Sequence, residues 1–174
     1  MPIMATTTSP AGDSEVISGE LYRDTLSRFC TGVAVITSMA HDETPVGLAV
    51  GSFTSVSLDP PLVAAFVAHT STTFPRIAET GRFCANVLGH HQQEICRRFA
   101  RSGGDKFAET NWSASEFGTA RLDDAVAWID AEIDSVQRLG DHDLVVGRVV
   151  ELRVGDESHH PLVFYRSGFH SLVH

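Results

Sequence analysis

Cysteine is scarce in this chain. Only Cys30, Cys84 and Cys96 occur in 174 residues. An odd count without a Cys-x-x-Cys spacing argues against a disulfide framework or a thiolate zinc site. No apolar run is long enough to span a bilayer, so no membrane association is expected. The Ser-, Thr- and Ala-rich start lacks the basic and apolar segments of a secretory signal. Residues 1–19 therefore read as a flexible N-terminal tail, residues 20–174 as one domain, and the expected compartment is cytoplasmic. Lysine is nearly missing: Lys106 stands alone. Thirteen Lys and Arg against 22 Asp and Glu give a formal net charge of -9, which disfavours nucleic acid as a partner. Gly-x-Gly-x-x-Gly and Walker motifs are absent, so any nucleotide must be held in another way. Without a Gly-x-Ser-x-Gly elbow, no covalent triad is expected.

What is present reads mainly as strands. Ser18–Phe29 has a capping serine and apolar residues at helical spacing, and predicts a helix. Strands follow at 33–39, 46–55 and 62–68, with glycines at 47 and 51 inside the second. Interior glycines mark a bulge or a close backbone approach. Phe74–Thr80, with Pro75 in its first turn and Gly81 after it, predicts a short helix. A strand at 83–88 and a helix at 90–101 come next, the helix turning Ile95, Cys96 and Phe99 inward. Residues 102–124 read as loop. Alternation of Ile129, Ala131 and Ile133 with Asp130, Glu132 and Asp134 predicts a strand over 127–136. A Gly140-Asp141-His142 turn, a buried strand over 144–152 and a last strand over 162–165 complete the chain. Strands outnumber helices and do not alternate with them, which favours an antiparallel barrel over a doubly wound sheet.

Few residues offer chemistry. Cys30 follows an apolar helix and reads as a buried thiol. The adjacent pairs His90-His91 and His159-His160 are poor chelators, and no metal is expected. Asp130, Glu132 and Asp134 share one strand face, which reads as solvent-facing, with a hard cation as the other option. Arg97, Arg98, Arg101 and Lys106 form either a solvated face or a patch for a small anion. Ser71, Thr72 and Thr73 precede a helix, where hydroxyls cap or bind phosphate. His142 reads as a turn residue that can project from a barrel rim.

Ordered motifs resolve several of these options. Arg28-Phe29-Cys30-Thr31-Gly32-Val33 resembles the opening of the short-chain flavin reductase family. Ser52-Phe53-Thr54-Ser55-Val56-Ser57-Leu58-Asp59-Pro60-Pro61-Leu62 is similar to its most specific signature. Phe83-Cys84-Ala85-Asn86-Val87-Leu88, Arg98-Phe99, Asp105-Lys106-Phe107, Gly140-Asp141-His142 and Pro161-Leu162-Val163-Phe164-Tyr165 follow in order. The resemblance implies a Greek-key, antiparallel split β-barrel with a few peripheral helices, mainly β, that dimerises. It implies an NAD(P)H:flavin oxidoreductase that reduces FMN or FAD with NADH or NADPH and supplies a partner monooxygenase. Gly47, Leu48, Ala49, Gly51, Ser52, Phe53, Thr54 and Ser55 would run beside the flavin ring, and Phe66, Val67 and Ala68 would flank it. Thr72 and Thr73 would meet its phosphate, with Arg98, Phe99 and Lys106 along the ribityl and phosphate end. Pro45, Val46, His142, Phe164, Tyr165 and Arg166 would seat the nicotinamide nucleotide. No side chain is expected to be catalytic, because flavin carries the hydride chemistry. Gly51 departs from the asparagine often found there. Two alternatives remain: a pyridoxamine-phosphate-oxidase-like split-barrel flavoprotein, or a non-catalytic flavin-binding protein.

Overall fold

A computed structural model describes residues 17–172; the expected tail falls mainly outside them. Helix α1 (Gly19–Ser27) leads into β1 (Thr31–Gly32), β2 (Ala34–Met39), β3 (Pro45–Val50), β4 (Thr54–Leu58) and β5 (Pro61–Ala68). Then come α2 (Phe74–Thr80), β6 (Arg82–Val87), a single 3-10 turn and α3 (Gln93–Phe99). A small hairpin of β7 (Trp112–Ala114) and β8 (Ala120–Leu122) precedes the long strands β9 (Ala127–Leu139) and β10 (His142–Val154). Strands β11 (Leu162–Tyr165) and β12 (Gly168–Ser171) close the described chain.

Seven strands form one sheet in the order β3-β2-β6-β9-β10-β5-β4. Every neighbouring pair is antiparallel. A second sheet, β1-β11-β12, lies beside it. The architecture is thus mainly β and antiparallel, with few helices, as the sequence predicts. The 46–55 strand is divided, because the chain leaves β3 at Gly51 and re-enters the sheet as β4.

Strand β2 explains the layering. Its alternate residues point to opposite faces. Ala34 and Ile36 join an inner core with Leu48, Val63, Phe83 and Val145. Val35, with Val33 just before the strand, faces an outer core with Leu88, Phe99, Phe107 and Leu162. Gly147 in β10 is required by close packing, since a Cβ there would lie 2.6 Å from Phe83 Cζ.

Several expectations need correction. The strand over 162–165 is not the last, because a short turn carries the chain back as β12 to pair with β11. The 102–124 segment contains β7 and β8, whose strands are too short to show a period. That hairpin covers the outer face of β9, so Asp130 is fully buried rather than solvent-facing. Its carboxylate accepts from Arg121 Nε at 2.9 Å and from the Thr119 hydroxyl. Arg121 also pairs with Glu151 at 2.6 Å, and hydrogen bonds from Arg153 and Arg121 hold the Glu151 carboxyl below its usual range. Helix α1 buries none of its residues, and Cys30 after it is exposed rather than a core thiol. Strand β10 is buried only near Val145 and Gly147, because its far half runs beyond the core with β9.

The buried ion pair gives a first prediction. Asp130→Ala leaves Arg121 desolvated with a partner missing, and removing one member of such a pair costs about 3–5 kcal/mol. Urea denaturation should show that loss, whereas exposed Glu132→Ala should stay within about 0.5 kcal/mol of wild type. Equal, small effects would mean that the hairpin is not anchored through Asp130.

Candidate functional site

The sheet curls until β3 and β5 line one cleft of about 470 Å³. No strand ladder joins them. The β4–β5 pairing ends at Thr54 opposite Ala64. Two residues further along β5, Ser52 takes over: Phe66 N donates to Ser52 Oγ at 2.9 Å, and Ser52 Oγ donates to Phe66 O at 3.0 Å. One hydroxyl thus satisfies both backbone groups of Phe66 and fixes the mouth of the cleft.

The walls differ in chemistry from end to end. Leu48, Ala49, Phe66, Val67 and Ala68 make an apolar end. Thr70–Thr73, Arg101, Ser102 and Lys106 make a hydroxylic and cationic end. His142 borders the cleft from the first position of β10, in register with Ala68. Its Nδ1 donates to the Asp141 carboxylate at 2.7 Å, and that bond holds the Asp141 pKa below the usual range. The contact fixes the imidazole plane and leaves Nε2 as the second polar atom of the ring.

Lys106 is seated by main-chain carbonyls: its Nζ donates to Gly47 O at 3.1 Å and to Phe99 O at 3.3 Å. Burial pushes its pKa below the ordinary lysine value. Gly47 is glycine because Phe99 lies over it; a Cβ there would sit 2.7 Å from Phe99 Cε1. The close approach foreseen at Gly47 is therefore made by an aromatic side chain. Around the loop before α2, Ser71 Oγ accepts from Phe74 N at 3.1 Å, while Thr73 makes no side-chain cap. The Thr72 and Thr73 positions border the cleft without that duty.

Most of the predicted residues converge, and some do not. Leu48, Ala49, Gly51, Ser52, Phe66–Ala68, Thr72, Thr73, Phe99, Lys106 and His142 share the cleft. Pro45, Val46 and Gly47 line an adjoining cleft instead. Phe53 and Thr54 face a groove against Tyr22 and Phe29 of the α1 region. Ser55 lies in β4, paired with Val63. Phe164 lines a small apolar pocket behind Gly51, and Tyr165 and Arg166 border neither cleft. Arg98 is turned away, donating to Glu109 Oε2 and Thr110 Oγ1, both at 2.8 Å. Arg101 takes the place expected for Arg98. In the sequence Arg101 stands only within the basic run that could bind a small anion; the family motif singles out Arg98, and the expected helix over 90–101 stops at Phe99, so helical spacing could not set the direction of Arg101. Among the described residues, no group of three or more His, Cys, Asp or Glu gathers to hold a metal ion.

Comparison with known proteins agrees with this geometry. Residues 26–173 match the flavin reductase like domain, and the chain belongs to that family. It is 44% identical over 153 residues to a flavin reductase of Pseudomonas putida, covering 88% of this chain and 89% of the relative. It is 40% identical over 157 residues to the reductase subunit of a flavin-dependent monooxygenase of Mycobacterium tuberculosis, covering 90% and 83%. The solved NADH:FAD oxidoreductase of Streptomyces globisporus superposes with a TM-score of 0.84 at 28% identity, covering 95% and 99%.

Proposed function

We propose that the chain is an NAD(P)H-dependent flavin reductase that passes reduced flavin to a partner monooxygenase. The observation that carries this reading is the graded cleft between β3 and β5, found in a chain of this family. An apolar slot suits a flavin ring, and a hydroxylic, cationic end suits its phosphate. When bound, flavin supplies the hydride-accepting chemistry. The protein's own contribution is placement. Phe66–Ala68 and Leu48–Gly51 would line the ring, Ser52 keeps the two strands at a fixed spacing, and Arg101 and Lys106 would neutralise the phosphate. His142 presents Nε2 at the rim, where the carboxamide of a nicotinamide ring would dock. Proximity of two stacked rings suffices for the transfer, so no general acid or base is required.

The names of the relatives support NADH as reductant and a monooxygenase as recipient. No helix among the described residues is long and apolar enough to cross a membrane, and a cytoplasmic setting suits a nicotinamide-dependent reductase. A homodimer is favoured by the apolar surface left on α1, on the turn after it and on the edge strand β4, where Leu21, Phe29, Val56 and Leu58 are exposed. Light scattering at micromolar concentration checks it; the mass of a single chain would remove it.

Purified protein should oxidise NADH or NADPH only when FMN or FAD is present. Absorbance at the nicotinamide band tests this, and no turnover with any pairing would sink the reading. Pyridoxamine phosphate oxidation in its place would support the split-barrel alternative, and flavin binding without turnover the storage alternative.

Arg101→Ala should weaken FMN by roughly 10- to 100-fold, the range for a charged hydrogen bond, and leave riboflavin nearly unchanged. Arg98→Ala should change neither affinity. Fluorescence titration separates them, and equal losses for both ligands would place Arg101 elsewhere. His142→Ala should raise the KM for the nicotinamide nucleotide several-fold, with flavin affinity and saturated turnover little changed. Steady-state kinetics with each substrate varied in turn decides; a loss confined to flavin would reassign the residue.

A further inference from the structure

The cleft does not end at Lys106. A second cleft of about 430 Å³ adjoins it, and Thr72, Thr73 and Lys106 belong to both. The shared residues are those at the cationic end of the first cleft. A ligand phosphate held there would therefore sit at a junction between two chambers of similar size.

The second chamber is polar and built. Arg76 lies on its wall, with Nη2 donating to Thr44 Oγ1 at 2.8 Å and to Asp42 Oδ2 at 3.2 Å. Thr44 N donates to Asp42 Oδ1 at 3.1 Å, so the β2–β3 turn and α2 are tied through one carboxylate. These bonds occupy one guanidinium nitrogen and hold the rest of its donor fork in a defined plane. The same chamber is lined by Gly103 and Gly104, both at φ +74, and a Cβ on either would meet nothing within 4 Å. Only glycine holds that backbone comfortably, and the pair leaves the chamber open beside Asp105.

We infer that this second chamber takes the adenylate half of a dinucleotide, and that the dinucleotide is FAD, bound across both chambers in preference to FMN. The inference rests on the flavin reading above and extends it to the choice of flavin. FMN would fill the first chamber and stop at the junction. FAD continues from the same phosphate into a second phosphate, a ribose and an adenine. Arg76 is placed for the second phosphate, and the open glycine wall admits the flat base. Adenylate is also half of NADH, so the source must be separated by experiment.

Flavin fluorescence titrations with riboflavin, FMN and FAD, on wild type and Arg76→Ala, make the test. Arg76 is exposed enough for its removal to be tolerated by the fold, and circular dichroism checks that. Wild type should bind FAD roughly tenfold or more tightly than FMN. Arg76→Ala should lose roughly tenfold for FAD and nothing for FMN, with the KM for NADH unchanged in FMN-supported turnover. Equal affinities of wild type for FMN and FAD would overturn the inference and leave the reductase reading intact. A higher KM for NADH in Arg76→Ala, with FAD binding unchanged, would assign the chamber to the nicotinamide dinucleotide and also overturn it. Failure to bind any flavin would instead defeat the underlying functional reading.

Discussion

The hydroxyl of Ser52 stands in for a strand. Where the β4 ladder stops, Phe66 still has a backbone N–H and C=O to satisfy, and leaving them unpaired next to an apolar wall would be costly. Another backbone run at that point would fill the cleft. A single side-chain oxygen meets both groups while occupying almost no space. The separation of β3 from β5, the opening of the sheet at Gly51 and the shape of the apolar end all depend on that substitution of side chain for strand.

A second constraint acts at the opposite face. The β7–β8 hairpin buries Ala120 and Leu122 in the outer core, and polar groups pin it as well. Arg121 and Thr119 hold Asp130, and Leu122 N donates to Asn86 Oδ1 at 2.7 Å. Asn86 in turn donates to Val35 O and to the Thr37 hydroxyl, both at 2.9 Å. Every member has partners, which is the condition under which a buried polar network orders a structure rather than weakening it. The network fixes β2 and β6, and β2 is the neighbour that carries β3 and its side of the cleft.

Charge is used sparingly. In a chain of net charge -9, the basic run after α3 is divided by its acidic neighbours. Arg97 is taken by Glu94 and Arg98 by Glu109, which leaves Arg101 and Lys106 at the cleft. Two cations facing a partly enclosed site on an acidic surface focus attraction for a small anion without attracting polyanions generally. Arg76 repeats the device in the second chamber, held in place by Asp42.

The order of strands, the short helix after Thr73 and the mainly antiparallel character were legible in the sequence. Period-two alternation, β-branched runs and Pro–Gly punctuation are local consequences of backbone geometry. The motif resemblance added the grouping of Ser52, Phe66–Ala68, Thr72, Thr73, Lys106 and His142, residues whose separation along the chain hides their proximity. Other facts had no local signature. Asp130 sits in an ordinary alternating strand, and its burial follows from a distant hairpin whose strands are three residues each. Cys30 follows an apolar helix, and its exposure follows from α1 having nothing packed over it in the single chain. Arg98 and Arg101 are equivalent as letters; Glu109 and Thr110 decide which of them faces the cleft. Local pattern was enough for the longer strands and for the motif residues on offer, but not for the short strands β7, β8 and β12. Tertiary structure alone decided what covers each face, because burial and ion pairing depend on segments that meet only after the sheet has curled.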